Sequence, residues 1–196
     1  AHAIIERPTA KSQQTKRSRL ALEDRFDFIG DGVAVGERAS LGTAIFDVEE
    51  KSTGVELSLK LWRKTGKPVD EDLRQLWLHE MRQVQRVMSY AGARDVVVDV
   101  MEFVEDDREF GVLLERVGQP LSERRKRVSR QHWLHNLGAP RPRVLFWNNI
   151  KRVVRALGII HAQGLVHGRL AADVIMTEGA DEADFRLGGF EWSLWL

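Results

Sequence analysis

His167-Gly168-Arg169-Leu170-Ala171-Ala172-Asp173-Val174-Ile175 (HGRLAADVI) follows directly on a helical pattern and reads as a loop. The helix before it spans about Arg143 to His161 and carries Trp147, Ile150, Val153, Val154, Leu157 and Ile160 on one apolar stripe. Gly164 ends it, in the position of a helix C-cap. After the loop come an apolar pair, Val174 to Met176, an acidic turn, Thr177 to Asp184, and the run FRLGGFEWS.

Further upstream the pattern changes. From Phe26 to Phe46, Gly30, Gly32, Gly36 and Gly42 punctuate short apolar stretches, as in hairpin strands. VELSLKLW alternates, with Val55, Leu57, Leu59 and Leu61 on one face and Glu56, Ser58, Lys60 and Trp62 on the other, which predicts a half-buried strand. Asp70 to Met88 switches to helical spacing through Leu73, Leu76, Trp77, Met81, Val84, Val87 and Met88, with an acidic first turn. Glu80 interrupts that stripe, and a carboxylate on an apolar face needs a partner. Two strand-like runs follow, Val96 to Val104 and Phe110 to Val117. Ser122 to Arg143 is basic and irregular, closed by Pro140 and Pro142.

The 196 residues are 43% hydrophobic and 30% charged, an ordinary globular balance. Thirty Lys+Arg against 29 Asp+Glu leave a net charge of +1, so no global field draws the chain to nucleic acid or membrane. The absence of cysteine excludes a disulfide scaffold, a thiolate nucleophile and a Cys-based zinc site. No apolar run approaches the roughly 20 residues of a membrane span, and no signal peptide opens the chain, so a cytoplasmic protein is expected. Twenty-two Arg against 8 Lys reads as GC-rich bacterial coding. Residues 1–25 read as a basic linker or arm, and both ends read as cut from a longer, multidomain protein.

A Gly-rich hairpin, a strand with a polar-face lysine, a helix with an inward glutamate, two strands, and a helix before a His-containing loop come in the order of the protein kinase fold. The resemblance covers about residue 26 to the end. It implies an α+β protein kinase-like fold: a small antiparallel β lobe with one regulatory helix and hinge (26–117), then a truncated, mainly helical lobe (118–196) with a basic insertion at 122–143. Lys60 in ELSLK resembles the strand lysine that holds nucleotide phosphates, and Glu80 the helix glutamate that pairs with it. Without the resemblance, both could be solvated surface charges. FGVLLERVGQPL resembles the strand and hinge, with Leu114 lining the base pocket and Glu115 to Val117 supplying hinge backbone groups.

The departures remove the chemistry. The family's catalytic loop reads H-R-D-L-x-x-x-N, with Asp as base and Asn on magnesium. Here Arg169 stands for the base, Val174 for the asparagine and Ala171 for a phosphate-contacting lysine. Arginine accepts no proton and valine offers no oxygen to a hard cation. Gly189-Phe190-Glu191 aligns with the second metal turn, so Gly189 replaces its carboxylate, unless the turn is Asp184-Phe185-Arg186. The phosphate loop is poor in either register, with Arg38, Ser40 and Thr43, or with Gly36 and Gly42. His167 is expected to bridge backbone groups, and Asp173 to point away from the cleft.

The implied function is therefore that of a pseudokinase, a regulatory or scaffolding module of a larger protein, with no metal site. ATP, held without a well-formed magnesium site, is the one cofactor left open. The partners implied are other domains of the same longer chain or a protein partner, with no membrane. Such degenerate domains occur in large bacterial regulators, including phage-defence systems. Two alternatives remain: an atypical active serine/threonine kinase recruiting Asp173, Asp184 or Glu191, and a nucleic-acid or partner-binding module using Arg124, Arg125, Lys126, Arg127 and Arg130, with Arg141 and Arg143 nearby. Trp133 is the one aromatic close to that basic run, which is expected to be a solvated loop.

Overall fold

A computed structural model describes residues 22–34 and 43–196. Gly36, Arg38, Ser40 and Gly42 of the phosphate-loop registers lie outside the described residues, as does the arm up to residue 21. Residues 22–25 are no linker: α1 (Leu22–Arg25) buries Leu22 and leads straight into β1 (Phe26–Ala34).

The fold is mixed α+β, built on a five-stranded antiparallel sheet, with four α-helices among the described residues. β1 pairs with β2 (Thr43–Glu50), β2 with β3 (Val55–Arg63), β3 with β5 (Glu109–Glu115), and β5 with the edge strand β4 (Val100–Glu105). The alternation of VELSLKLW predicts burial on one face only, yet both faces of β3 are buried from Leu57 to Trp62. Position is the reason: β3 is central, with Leu57, Leu59 and Leu61 in one apolar cluster and Trp62 in another. Lys60 is therefore buried as well, at 5% exposure.

α2 (Val69–Met88) covers that second face. Leu73, Trp77, Glu80, Val84 and Val87 recur every three to four residues and are all buried, and the Trp77 indole donates to the Gly111 carbonyl at 2.9 Å. Val96–Val98, expected in a strand, form none. They are buried, and they exchange hydrogen bonds with Leu187 (Leu187 N to Val96 O, 2.8 Å; Val98 N to Leu187 O, 3.0 Å). This bridge ties the β4 approach to the C-terminal part of the chain.

That part is expected to be mainly helical, and helix outweighs strand in it. It has α3 (Leu121–Arg127), α4 (Pro140–Ala162), a three-stranded sheet of β6 (Gln119–Pro120), β8 (Ile175–Thr177) and β9 (Arg186–Leu187), and the pair β7 (Leu165–Val166) and β10 (Leu194–Trp195). The basic stretch is not an irregular loop: α3 and a turn of 3-10 helix at Trp133–His135 occupy it. Pro140 and Pro142 start α4 rather than closing the stretch, because proline in a first helical turn gives up no intrahelical N–H bond. α4 ends as expected before Gly164, whose φ of +72° suits the chain reversal.

The buried face of α4 is the predicted stripe only in part, at Val153 and Ile160. Asn149, Val153, Ala156, Ile159 and Ile160 face inward, while Trp147 and Val154 are 56% and 60% exposed. Two overlapping faces fit the apolar spacing, and the small Ala156 and polar Asn149 mark the true one. Among the described residues, two of the three apolar clusters draw on both sides of 117/118: Met176 packs with Ile45, Trp62 and Leu114, and Val84, Val87 and Val96 pack with Ile160, Phe185 and Leu187; the third lies wholly before it.

Candidate functional site

The central β3 delivers Lys60, and α2 delivers Glu80 one turn beyond Trp77. The ammonium donates to both oxygens of Glu80 at 3.0 Å, and both side chains are at most 6% exposed. The solvated alternative for these two charges is excluded by their burial. A third residue completes the contact. Glu191, 131 positions along the chain from Lys60, accepts from the same Nζ at 2.9 Å and is itself 11% exposed. Lys60 also lies 4.5 Å from the Trp62 ring, within cation–π range.

Two buried carboxylates thus share one ammonium. Burial opposes the charge on Lys60, but Glu191 and Glu80 outweigh it and raise its pKa. Burial pushes Glu80 up to about 7 against the pull of Lys60, with the neighbouring Glu191 charge adding to the rise. Burial also opposes ionisation of Glu191, but the charge and hydrogen bond of Lys60 prevail and hold it below the usual range. The same lysine and the same burial thus push the two carboxylates apart, Glu80 upward and Glu191 downward.

The turn that carries Glu191 is fixed from three sides. Phe190 is 1% exposed against the His167 ring, centroids 5.2 Å apart, and its backbone N–H donates to Glu80. His79 of α2 meets the Ser193 carbonyl at 2.8 Å. His167 Nε2 meets the Gly188 carbonyl at 2.8 Å, and its Nδ1 accepts from Arg169 N at 3.4 Å. This is the backbone-bridging role the sequence suggested. It needs a proton on Nε2 and none on Nδ1, and burial lowers the His167 pKa to match.

Arg169 and Asp173 lie beside this cluster, paired at 2.6 Å. Asp173 does not point away from the cleft as expected: the i, i+4 contact with Arg169 turns it into the lining. Val174 and Gly189 pack on each other, since a Cβ on Gly189 would lie 2.6 Å from Val174 Cγ1, and Gly189 has φ +75°. Ile45, Val98, Val100, Leu114 and Met176 form the apolar end. The cleft so lined has a free volume of about 40 Å3, room for a few water molecules.

Other predicted residues are engaged elsewhere. The Glu115 carboxylate accepts from Asp99 N at 3.2 Å and pairs with Arg186, while its backbone N–H bonds the Asp99 carbonyl at 3.1 Å. Val117 is buried in the core. Asp184 accepts from Thr177 Oγ1 at 2.7 Å, Glu178 N at 2.8 Å and Gly179 N at 3.1 Å, so both its oxygens hold a turn. In the basic stretch, Arg125, Lys126, Arg127 and Arg130 are exposed and Arg124 is partly covered. Trp133 is not an available aromatic there: it is buried, its indole bonded to the Ala180 carbonyl.

Among the described residues no group of three or more His, Asp or Glu side chains is placed to hold a metal, and no helix is long and apolar enough to cross a membrane. Compared with models of known protein families and with curated proteins, the sequence finds no match.

Proposed function

We propose that the chain is a degenerate protein kinase-like domain, a pseudokinase, serving as a regulatory or scaffolding module and transferring no phosphate. The observation that carries this reading is the buried Lys60–Glu80 contact between β3 and α2, facing Arg169, Val174 and Gly189. The order of elements supports it too: an antiparallel sheet with one helix packed on it, then a long helix leading into the His167 loop. A phosphoryl-transfer site works by positioning and by metal neutralisation of charge. Arg169 cannot act as base, and Val174 and Gly189 offer no side-chain oxygen.

The residues present do not fit magnesium. The carboxylates nearest those positions, Asp173 and Glu191, are committed to Arg169 and Lys60. The fit to ATP is poor as well, because Lys60 already has two anions and the cleft is narrow. On this reading the module acts through its shape, on other domains of a longer chain or on a protein partner. The test is transfer of labelled γ-phosphate from ATP to the chain itself and to a generic protein acceptor, with magnesium or manganese. No incorporation is expected; incorporation abolished by Lys60→Met would establish an atypical active kinase instead.

A second reading, binding of nucleic acid, draws on the exposed cations Arg125, Lys126, Arg127 and Arg130. It requires affinity that falls steeply with salt and is lost when those charges are reversed.

A further inference from the structure

We infer that Glu191 determines what the cleft accepts: its carboxylate occupies the seat of a ligand phosphate on Lys60, so the native chain refuses phosphate esters, ATP among them. The inference rests on the proposed reading of the cleft and goes beyond it, since the vacant catalytic positions say nothing about which ligands enter.

Three observations carry it. First, the contact is made as a bound anion would make it. One Glu191 oxygen sits 2.9 Å from Nζ, near the charge-assisted range, on a lysine already bonded twice to Glu80. Second, the carboxylate is placed by the scaffold and is no wandering surface side chain. Its flanking residues are pinned by His79 to Ser193, by His167 to Gly188, and by the burial of Phe190. Third, the charge count is unfavourable to a further anion. Glu191 already matches Lys60 and Asp173 matches Arg169, with Glu80 a further carboxylate beside them, so an incoming phosphate meets like charge at short range unless Glu191 leaves. Loss of Glu191 would leave Lys60 paired one to one with Glu80, the arrangement in which an ammonium can take a second, external anion.

Glu191 is thus a specificity-determining residue. With it in place the polar end of the cleft is satisfied internally, and without it Lys60 becomes a metal-independent phosphate site.

The experiment is calorimetric titration of the native chain, Glu191→Ala, Glu191→Gln and Lys60→Met/Glu191→Ala with ATP and with inorganic tripolyphosphate, all without divalent metal. Glu191→Gln is nearly isosteric and keeps the test valid should the alanine variant fold poorly; folding of each variant is checked by its far-UV spectrum and cooperative unfolding. The native chain is expected to bind neither ligand. The Glu191 variants are expected to bind at least about tenfold more tightly than the weakest affinity the titration registers, and the added Lys60→Met to abolish the gain. Equal ATP affinity in native and variant chains overturns the inference, and so do folded variants that bind no phosphate. If the variants gain tripolyphosphate and bind ATP no better than tripolyphosphate, the role of Glu191 stands and the reading of the apolar end as a nucleotide-base pocket falls.

Discussion

Lys60 is the residue on which most of the site depends, and its removal tests the ion cluster directly. Lys60→Met is expected to destabilise the chain by about 3–5 kcal/mol in urea unfolding, because Glu80 and Glu191 would stay buried without a counter-charge. Adding Glu80→Gln and Glu191→Gln is expected to restore most of that loss. The pH dependence follows from Glu80. Its folded pKa, about 7, lies above its ordinary value of 4.5, so the folded state holds the extra proton. The resulting stability is present below about 4.5 and is lost as pH rises through 7. Between pH 5.5 and 8, the native chain is therefore expected to lose melting temperature relative to Glu80→Gln; parallel curves would refute this. Lys60 and Glu80 were legible in the sequence, one as a lysine in an alternating strand, the other as a carboxylate interrupting an apolar stripe. Glu191 was readable as the end of a degenerate turn and as a carboxylate an active kinase could recruit, but not as a partner of Lys60. Its partner lies 131 positions away, and local periodicity carries no information at that range.

At the scale of elements, short-range pattern located β3, α2, β5 and α4 and the face that α2 buries, but not the faces buried by β3 and α4. α4 shows why. Trp147 and Val154 satisfied the helical period as well as Val153 and Ile160 did, and tertiary packing chose between them. The polar residue on the chosen face, Asn149, has a definite task. Its Oδ1 accepts from Asp184 N and Phe185 N, both at 2.9 Å, and clamps the segment entering β9 onto the helix. Asn149→Ala leaves both N–H groups unsatisfied and is expected to cost about 1–3 kcal/mol, read as a lower urea midpoint with an unchanged m-value. Val96–Val98 have strand composition and form a buried connection, because their backbone groups meet a single residue, Leu187 of the two-residue β9, and no ladder can extend from it. The basic stretch was read as a loop for its charge, although Leu121 and the run after it suit a short helix.

Across the whole molecule, the two segments that sequence order suggested as lobes share two of the three hydrophobic clusters. They are expected to unfold together, with far-UV circular dichroism and tryptophan fluorescence giving coincident urea transitions; two separated transitions would show that the 117/118 boundary divides the fold. Reversing the charges of Arg125, Arg127 and Arg130 removes no buried contact and is expected to change stability by no more than about 0.5 kcal/mol. Sequence order points to the class, α+β, while the five strands among residues 118–196 stayed hidden, because at two or three residues each they are too short for any period to show.

The contact between Val174 and Gly189 bears on reversibility. On the proposed reading, regaining phosphoryl transfer would need oxygen ligands at both positions, yet any side chain at 189 strikes Val174 and meets a left-handed backbone. An aspartate at 169 would in turn strip Asp173 of its cation and leave Lys60 alone among four carboxylates. No single substitution improves matters, and several would have to arrive together. On that reading the loss of chemistry works as a ratchet: Val174 fills the space beside Gly189, and Arg169 holds Asp173.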